Sequence, residues 1–211
     1  MKLPTAPYVD QNAGWPSEGR HILAHYDAET IIVYQAYRPE IGEYAIRHGA
    51  FGGAFSFSRM SWVKPNFLWM MYRSGWGTKE GQEITLGLRL RRQFFDGILA
   101  HAVASSAGQS DSASREEWKQ ALERSEVRLQ WDPDHAPNGT PVTRRAIQLG
   151  LRGSMLEAFG KTELLEVVDM TACVAAQRAH VLSGALAQLS TPVEHVYRPA
   201  EASIARRLRL D

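Results

Sequence analysis

The chain has 211 residues, of which 44% are hydrophobic and 22% charged, and its formal net charge is +1. This length favours one domain with its own core, and near-neutrality argues against a protein that coats polyanions, because such proteins are usually basic over the whole domain. A single cysteine excludes an intrachain disulfide and a thiolate-rich zinc site, and neither a bilayer-spanning run nor a signal-peptide core is present, so we expect a cytoplasmic protein without a membrane partner.

The first half of the chain alternates between strand and helix signals. Residues 1–19 are rich in proline, glycine and polar groups, which predicts an irregular lead-in. The β-branched and aromatic run 30–37 predicts a strand, and 39–48 predicts a short helix that begins at a proline. The further predicted elements are a strand over 55–62, a helix entered at 64–66, a strand over 83–90 and a helix over 94–103.

The second half begins with a polar stretch, 105–114, which predicts a flexible surface loop. Ser114 and Glu117 have the spacing of a capping box for a helix to about residue 123. The elements predicted after it are a strand over 127–131, a turn-rich loop over 132–141, a strand over 143–153, helices over 154–159 and 163–182, and a last strand within 193–199. This irregular order favours a single α+β domain over 1–211, with a mixed or antiparallel central sheet flanked by helices.

The most informative stretch is 55–76, which contains seven aromatic residues, three basic residues and no acidic residue. Aromatic rings among Arg59, Lys64 and Arg73 suit a ligand with flat rings and phosphates, because the rings supply stacking surface and the cations bind the anion. Such a ligand is a nucleotide or a nucleic acid. The alternative is that the rings, Trp62 and Trp69 among them, simply form the core.

Four strings carry a family resemblance: VYQAYRPEIGEYA, RMSWVKPNFLWMMYRSGW, QWDPDH and RRAIQLGLRG. Together they resemble the family called domain of unknown function 4291 over nearly the whole chain. That resemblance alone implies no activity. The family is in turn similar to the ADP-ribosyltransferases, especially the DarT group of toxins that modify DNA, and this second resemblance implies an ADP-ribosyltransferase-like fold.

The DarT group has a polar ligand-binding residue on an early strand, an arginine-rich and aromatic strand-to-helix passage, and a catalytic glutamate on a late strand. Gln35 resembles the first feature, and 60–74 resembles the second. At the glutamate position this chain has Gln148. A glutamine can hydrogen-bond the nicotinamide ribose, but it cannot place a full negative charge beside an oxocarbenium ion. Either the chain does not catalyse, or another acid, Glu157 or Asp132, takes this role.

The resemblance implies that NAD is bound as a substrate and that ADP-ribose is transferred to a protein side chain or a nucleobase. Gln148, helped by Gln130, would orient the ribose. The expected catalytic residues are Gln148 and Arg73, and the expected NAD-binding residues are Gln35, Tyr37, Arg38, Arg59, Trp62, Lys64, Asn66 and Tyr72. Among these, Trp62, Tyr37 or Tyr72 would stack on the adenine and nicotinamide rings. Arg59, Lys64 or Arg73 would bind the diphosphate.

Two other functions remain open: a non-catalytic module for nucleotides or single-stranded nucleic acid on the same surface, and a structural domain whose aromatic residues are all core. The string 132–135, DPDH, is interpreted as a turn and not as a metal site, so no metal cofactor is expected. P-loop, Rossmann, HExxH and GxSxG motifs are absent. The oligomeric state is not indicated by the sequence.

Overall fold

The computed structural model describes residues 3–109 and 114–211 as an α+β fold. Its strands are β1 (Thr5–Pro7), β2 (Ile22–Ala24), β3 (Thr30–Tyr37), β4 (Ser61–Val63), β5 (Ile84–Arg91), β6 (Ala102–Ala104), β7 (Val127–His135), β8 (Pro141–Leu151), β9 (Leu164–Asp169), β10 (Ser190–Pro192) and β11 (His195–Tyr197). Its α-helices are α1 (Tyr8–Gly14), α2 (Pro39–His48), α3 (Phe67–Ser74), α4 (Arg92–His101), α5 (Arg115–Arg124), α6 (Gly153–Lys161), α7 (Thr171–Leu182) and α8 (Ala202–Leu208).

The larger sheets are β3-β5-β9 and β4-β8-β7-β6, in which only β6 and β7 pair in parallel. Two smaller antiparallel pairs, β1 with β10 and β2 with β11, join the beginning of the chain to its end. The predicted α+β class is confirmed, and the mainly antiparallel pairing agrees with it. No helix in the described ranges is both long and apolar enough to cross a bilayer.

Strand β3 lies between two hydrophobic clusters. Ile31 and Val33 face the larger cluster, whereas Ile32 and Tyr34 face the smaller one, because successive side chains of a strand point to opposite sides. This explains why the strand reads as a nearly continuous apolar run. Tyr34 also exchanges two backbone hydrogen bonds with Lys64, at 2.7 and 3.2 Å, so β3 is joined to the chain that leaves β4.

The β4-β8-β7 part of the second sheet has two chemically different faces. One face packs its apolar side chains into the larger cluster: Val63, Val127, Leu129, Trp131, Ile147, Leu149 and Leu151. The alternate positions form what we call the polar face: Trp62, Lys64, Arg128, Gln130, Asp132, Ala146, Gln148 and Gly150. The strand alternation therefore places polar side chains from three strands on the same surface.

Most predicted elements are confirmed. The strand 30–37 and the helix 39–48 have the predicted bounds, and α3, β5, α4, β8, α6 and β11 lie where periodicity indicates. Helix α5 begins as the capping box predicts, since the Ser114 hydroxyl accepts a hydrogen bond from the Glu117 amide at 3.1 Å.

Two predictions within the central region are wrong. Residues 55–60 are irregular, with a turn at 57–58, and the strand is limited to Ser61–Val63. The Phe55 and Phe57 rings pack on each other and Phe55 stacks on Phe51, so these rings do not alternate across a sheet. The predicted loop 132–141 is wrong at its start, because β7 continues to His135. There the buried Asp134 carboxylate pairs with Arg144 of β8, at 2.7 Å, and this contact overrides the turn preference of Asp and Pro.

Two more differences come from pairing between distant segments. The predicted helix 163–182 is wrong over 164–169, where β9 pairs with β5, and only Thr171–Leu182 is helical. The lead-in 1–19 contains β1 and α1 instead of being irregular throughout, because Thr5–Pro7 pairs with β10. The predicted loop 105–114 includes residues 110–113, which lie outside the described residues.

Candidate functional site

The centre of the polar face is a carboxylate held between two amides. Gln130 and Gln148 lie directly opposite each other on β7 and β8. The Gln130 Nε2 donates to Asp132 Oδ1 at 2.9 Å, and the Gln148 Nε2 donates to Asp132 Oδ2 at 2.8 Å. A carboxylate has about four acceptor positions, so two donors fix its orientation and leave capacity for a ligand hydroxyl. Asp132 is half-buried and therefore still reachable from solvent.

Lys64 is the cation of this face that lies deepest in the protein. It is only 6% exposed, and its Nζ donates one long hydrogen bond, 3.4 Å, to the Trp62 carbonyl. Burial, with a smaller contribution from the positive charge of Arg73, lowers the pKa of Lys64 to about 7, and the Asp132 carboxylate opposes both effects. Near neutral pH the side chain therefore exists in both protonation states.

Trp62 provides the flat apolar surface of the face. Its backbone pairs with Gly150, and a Cβ atom at Gly150 would lie 2.7 Å from Met60 Sδ and 3.0 Å from Trp62 Cε2. The absent side chain is thus what lets the Trp62 ring and the Met60 sulfur approach the strand. The half-buried indole lies over Gly150, two positions along β8 from Gln148 and on the same face of the sheet.

Helix α3 contributes a second aromatic surface. Tyr72, which is 40% exposed, stacks on the His135 ring with centroids 3.5 Å apart and an interplanar angle of 13°. Trp69 is buried beneath them, 5.2 Å from His135, and the exposed Arg73 guanidinium lies 6.0 Å from the Trp69 centroid. Burial also lowers the pKa of His135, which favours the neutral ring in this stack.

Asn66 is engaged in the fold. Its Oδ1 accepts a hydrogen bond from the Trp69 amide at 2.6 Å and caps α3, and its Nδ2 lies 3.5 Å from Asp134.

Asp134, Arg144 and Glu194 form a buried polar cluster that the sequence did not indicate. Burial raises the pKa of Asp134, which Arg144 opposes, and burial raises the pKa of Glu194 well above its usual value.

Three of the predicted NAD-binding residues, Tyr37, Arg38 and Arg59, line a surface pocket of about 340 Å³. Gln35 lies behind it and donates to Ser61 Oγ at 2.8 Å and to the Trp62 carbonyl at 3.1 Å. The Tyr37 hydroxyl also contacts Ser61 Oγ, at 2.6 Å, and Arg38 pairs with Glu40 at 3.3 Å.

The structure therefore divides the predicted site residues into two groups. Trp62, Lys64 and Gln148 meet on the polar face, and the charge of Arg73 acts on Lys64 there. Tyr37, Arg38 and Arg59 share the 340 Å³ pocket. The groups adjoin at the Trp62 carbonyl, which accepts hydrogen bonds from both Gln35 and Lys64.

Several rings of the 55–76 stretch form core, as the alternative interpretation predicts: Phe67, Trp69 and Trp76 are all buried.

Arg128 is a residue of the polar face that the sequence analysis does not name. The signal for it is the alternation of 128–132, in which every second residue is polar, so that Arg128 lies on the same side of the strand as Gln130 and Asp132. Within the described residues, no group of three or more histidine, cysteine or acidic side chains is arranged to hold a metal ion.

The family model described as Domain of unknown function (DUF4291) matches residues 21–197, and the chain belongs to this family. No curated protein matches the chain. The matched range contains both the polar face and the pocket beside it.

Proposed function

We propose that this member of the DUF4291 family is an ADP-ribosyltransferase-like enzyme that binds NAD on the polar face and transfers ADP-ribose to a protein or nucleic-acid acceptor. The observation that carries the proposal is the Asp132 carboxylate, which accepts one amide hydrogen bond on each oxygen and lies on the same face of the sheet as Trp62. This arrangement supplies the negative charge that Gln148 lacks.

The reaction requires an anion beside the reacting ribose. As the bond between the ribose C1′ and the nicotinamide nitrogen breaks, its electron pair leaves with nicotinamide and the ribosyl carbon becomes cationic. The acceptor nucleophile then bonds to C1′, and its proton is released to the solvent. An oriented carboxylate stabilises the developing positive charge most when it does not have to reorganise, and the two amides hold Asp132 in that way.

Gln148 acts in this proposal as a positioning residue for Asp132 and as a ligand for the ribose. Its Nε2 is used by the carboxylate, so its Oε1 is the group that accepts a ribose hydroxyl. The Trp62 indole supplies the stacking surface for nicotinamide and keeps water from the reacting carbon. Because the pKa of Lys64 is about 7, this neighbour leaves much of the Asp132 charge uncompensated at neutral pH.

The test is release of nicotinamide from NAD labelled in that ring, with the full chain and with protein or single-stranded DNA as acceptor. Asp132→Asn keeps the shape of the side chain but removes its charge, and we expect release to fall about a hundredfold or more. The matched control is Glu157→Gln, since Glu157 is exposed on α6, where it pairs with Lys161 at 3.9 Å. Unchanged release in Asp132→Asn, or an equal loss in the control, contradicts the proposal.

A second candidate is a non-catalytic module that binds a nucleotide or single-stranded nucleic acid. The exposed Tyr72, stacked on His135 and next to the exposed Arg73, favours it, because bases stack on such rings while a cation neutralises the phosphate. This function predicts oligonucleotide binding with a steep salt dependence and loss of binding in Tyr72→Ala. It also predicts that Asp132→Asn binds as tightly as the wild type, which separates it from the enzyme.

A further inference from the structure

Arg128 places a guanidinium on the polar face at a position that the proposed mechanism has not used. It pairs with Gly150 across β7 and β8, and Gly150 pairs with Trp62 across β8 and β4. Neighbouring strands are about 4.8 Å apart, so the Arg128 and Trp62 backbones are about 10 Å apart with only a glycine between them. Because the Trp62 ring and the Met60 sulfur lie over that glycine, Arg128 adjoins the surface that these two side chains cover.

Arg128 lacks the contacts that a structural arginine normally makes. Its Nε is buried and has no hydrogen-bond partner, and none of the ion pairs of the described residues includes its side chain. The nearest acid along the chain, Glu126, is already engaged by the Ser154 amide and hydroxyl and by the Met155 amide. A buried donor without an acceptor costs free energy, which an arriving anion would recover.

We propose that Arg128 binds the diphosphate of the nucleotide that occupies the polar face. A guanidinium offers several donors in a planar fork that matches phosphate oxygens and keeps its charge at any physiological pH. Along β7, Arg128 lies two residues from Gln130 and four residues, or about 13 Å, from Asp132, so a nucleotide whose ribose lies at the amide-held carboxylate extends along this strand to bring its phosphates to Arg128.

This assignment rests on the proposed function for the identity of the nucleotide, but not for the anion site itself. It also differs from the sequence-based prediction, which gave the diphosphate to Arg59, Lys64 or Arg73. Arg59 lines the pocket beside the face, and Arg73 lies on α3 with its guanidinium near the Trp69 ring. Arg128 lies on the sheet itself, in the strand that carries Asp132.

The experiment is calorimetric titration of the full chain with four probes: NAD, ADP-ribose, inorganic diphosphate and nicotinamide riboside, which has no phosphate. For Arg128→Gln we expect about tenfold or weaker binding of the first three probes and unchanged binding of nicotinamide riboside. Arg128→Lys keeps the positive charge but not the planar fork of donors, and its affinity for the three phosphate-bearing probes should lie between those of the wild type and Arg128→Gln. In NAD cleavage, KM rises in both variants while kcat stays within about threefold.

The matched control is Arg206→Gln, which removes an exposed arginine of α8 and should leave all four affinities unchanged. If the wild type binds and cleaves NAD and Arg128→Gln does so equally well, the assignment of Arg128 is wrong and the proposed function stands. If the wild type binds diphosphate through Arg128 but does not cleave NAD, the anion site stands and the enzymatic proposal is wrong. If the wild type binds none of the phosphate-bearing probes, both are wrong.

Discussion

Replacing Lys64 by methionine should stabilise the protein, and by an amount that depends on pH. Burial and Arg73 lower the pKa of Lys64 from 10.5 to about 7, so the charged form is disfavoured in the folded state. Each unit of pKa shift corresponds to about 1.4 kcal/mol. Below pH 7 the lysine is charged in both the folded and the unfolded chain, and the full pKa shift then lowers the free energy of unfolding by about 5 kcal/mol.

The sign follows from proton binding. Between pH 7 and 10.5 the unfolded chain holds the Lys64 proton more tightly than the folded one, so this contribution to stability rises with pH and the penalty shrinks to about 2 kcal/mol at pH 9. Methionine has no proton to gain, and it gives up one long hydrogen bond worth about 1 kcal/mol. We therefore expect Lys64→Met to raise the free energy of unfolding by about 4 kcal/mol at pH 6 and by about 1 kcal/mol at pH 9.

Urea unfolding followed by circular dichroism at pH 6, 7.5 and 9 measures these values. The control is Lys119→Met, since Lys119 is exposed on α5 and its replacement should change stability little at any of these pH values. The reasoning is refuted if Lys64→Met destabilises the protein at pH 6, or if its effect is the same at pH 6 and pH 9.

Three further substitutions test other parts of the structure. Gly150→Ala puts a Cβ atom 3.0 Å from the Trp62 ring, so tryptophan fluorescence should shift and the free energy of unfolding should fall by about 1–3 kcal/mol; an unchanged spectrum would contradict the close packing. Asp134→Asn breaks the buried pair with Arg144 and should cost about 3–5 kcal/mol in urea unfolding, whereas a loss below 1 kcal/mol would show that the pair is dispensable. Glu194→Gln should become more stable than the wild type as the pH rises from 5 to 8, because burial raises the pKa of Glu194 and its ionisation then favours the unfolded chain; a difference that does not change with pH refutes this.

The fold was predictable where local signals agree with the final structure. The apolar run of β3, the proline-initiated α2 and the capping box of α5 are each set by residues within a few positions, and each formed as predicted. Strand β9 was not predictable in this way, because its leucines and valines fit a helix equally well and only pairing with β5, about eighty residues earlier, selects the strand. The continuation of β7 to His135 likewise depends on Arg144 of the next strand.

The site was partly accessible from the sequence. Lys64, Gln148 and Trp62 were identified as candidates, and the structure brings them to one face. Asp132 was considered only as an alternative acid, since nothing local shows that two glutamine amides converge on it from adjacent strands. Asn66 belongs to the same motif as Trp62 and Lys64, but its side chain caps a helix. An asparagine just before a helix accepts a hydrogen bond from a backbone amide of the first turn, here that of Trp69.

The two terminal segments complete the interior of the molecule. Leu3 and Tyr8 belong to the smaller hydrophobic cluster, Ile204 and Leu208 belong to the larger one, and all four lie beyond the limits of the family match, 21–197. A recombinant fragment limited to 21–197 would lack these four side chains and so expose part of both hydrophobic clusters to solvent. It would also lack β1, the strand that pairs with β10. Expression trials on this family would therefore retain the flanking residues, even though no recognisable motif marks them.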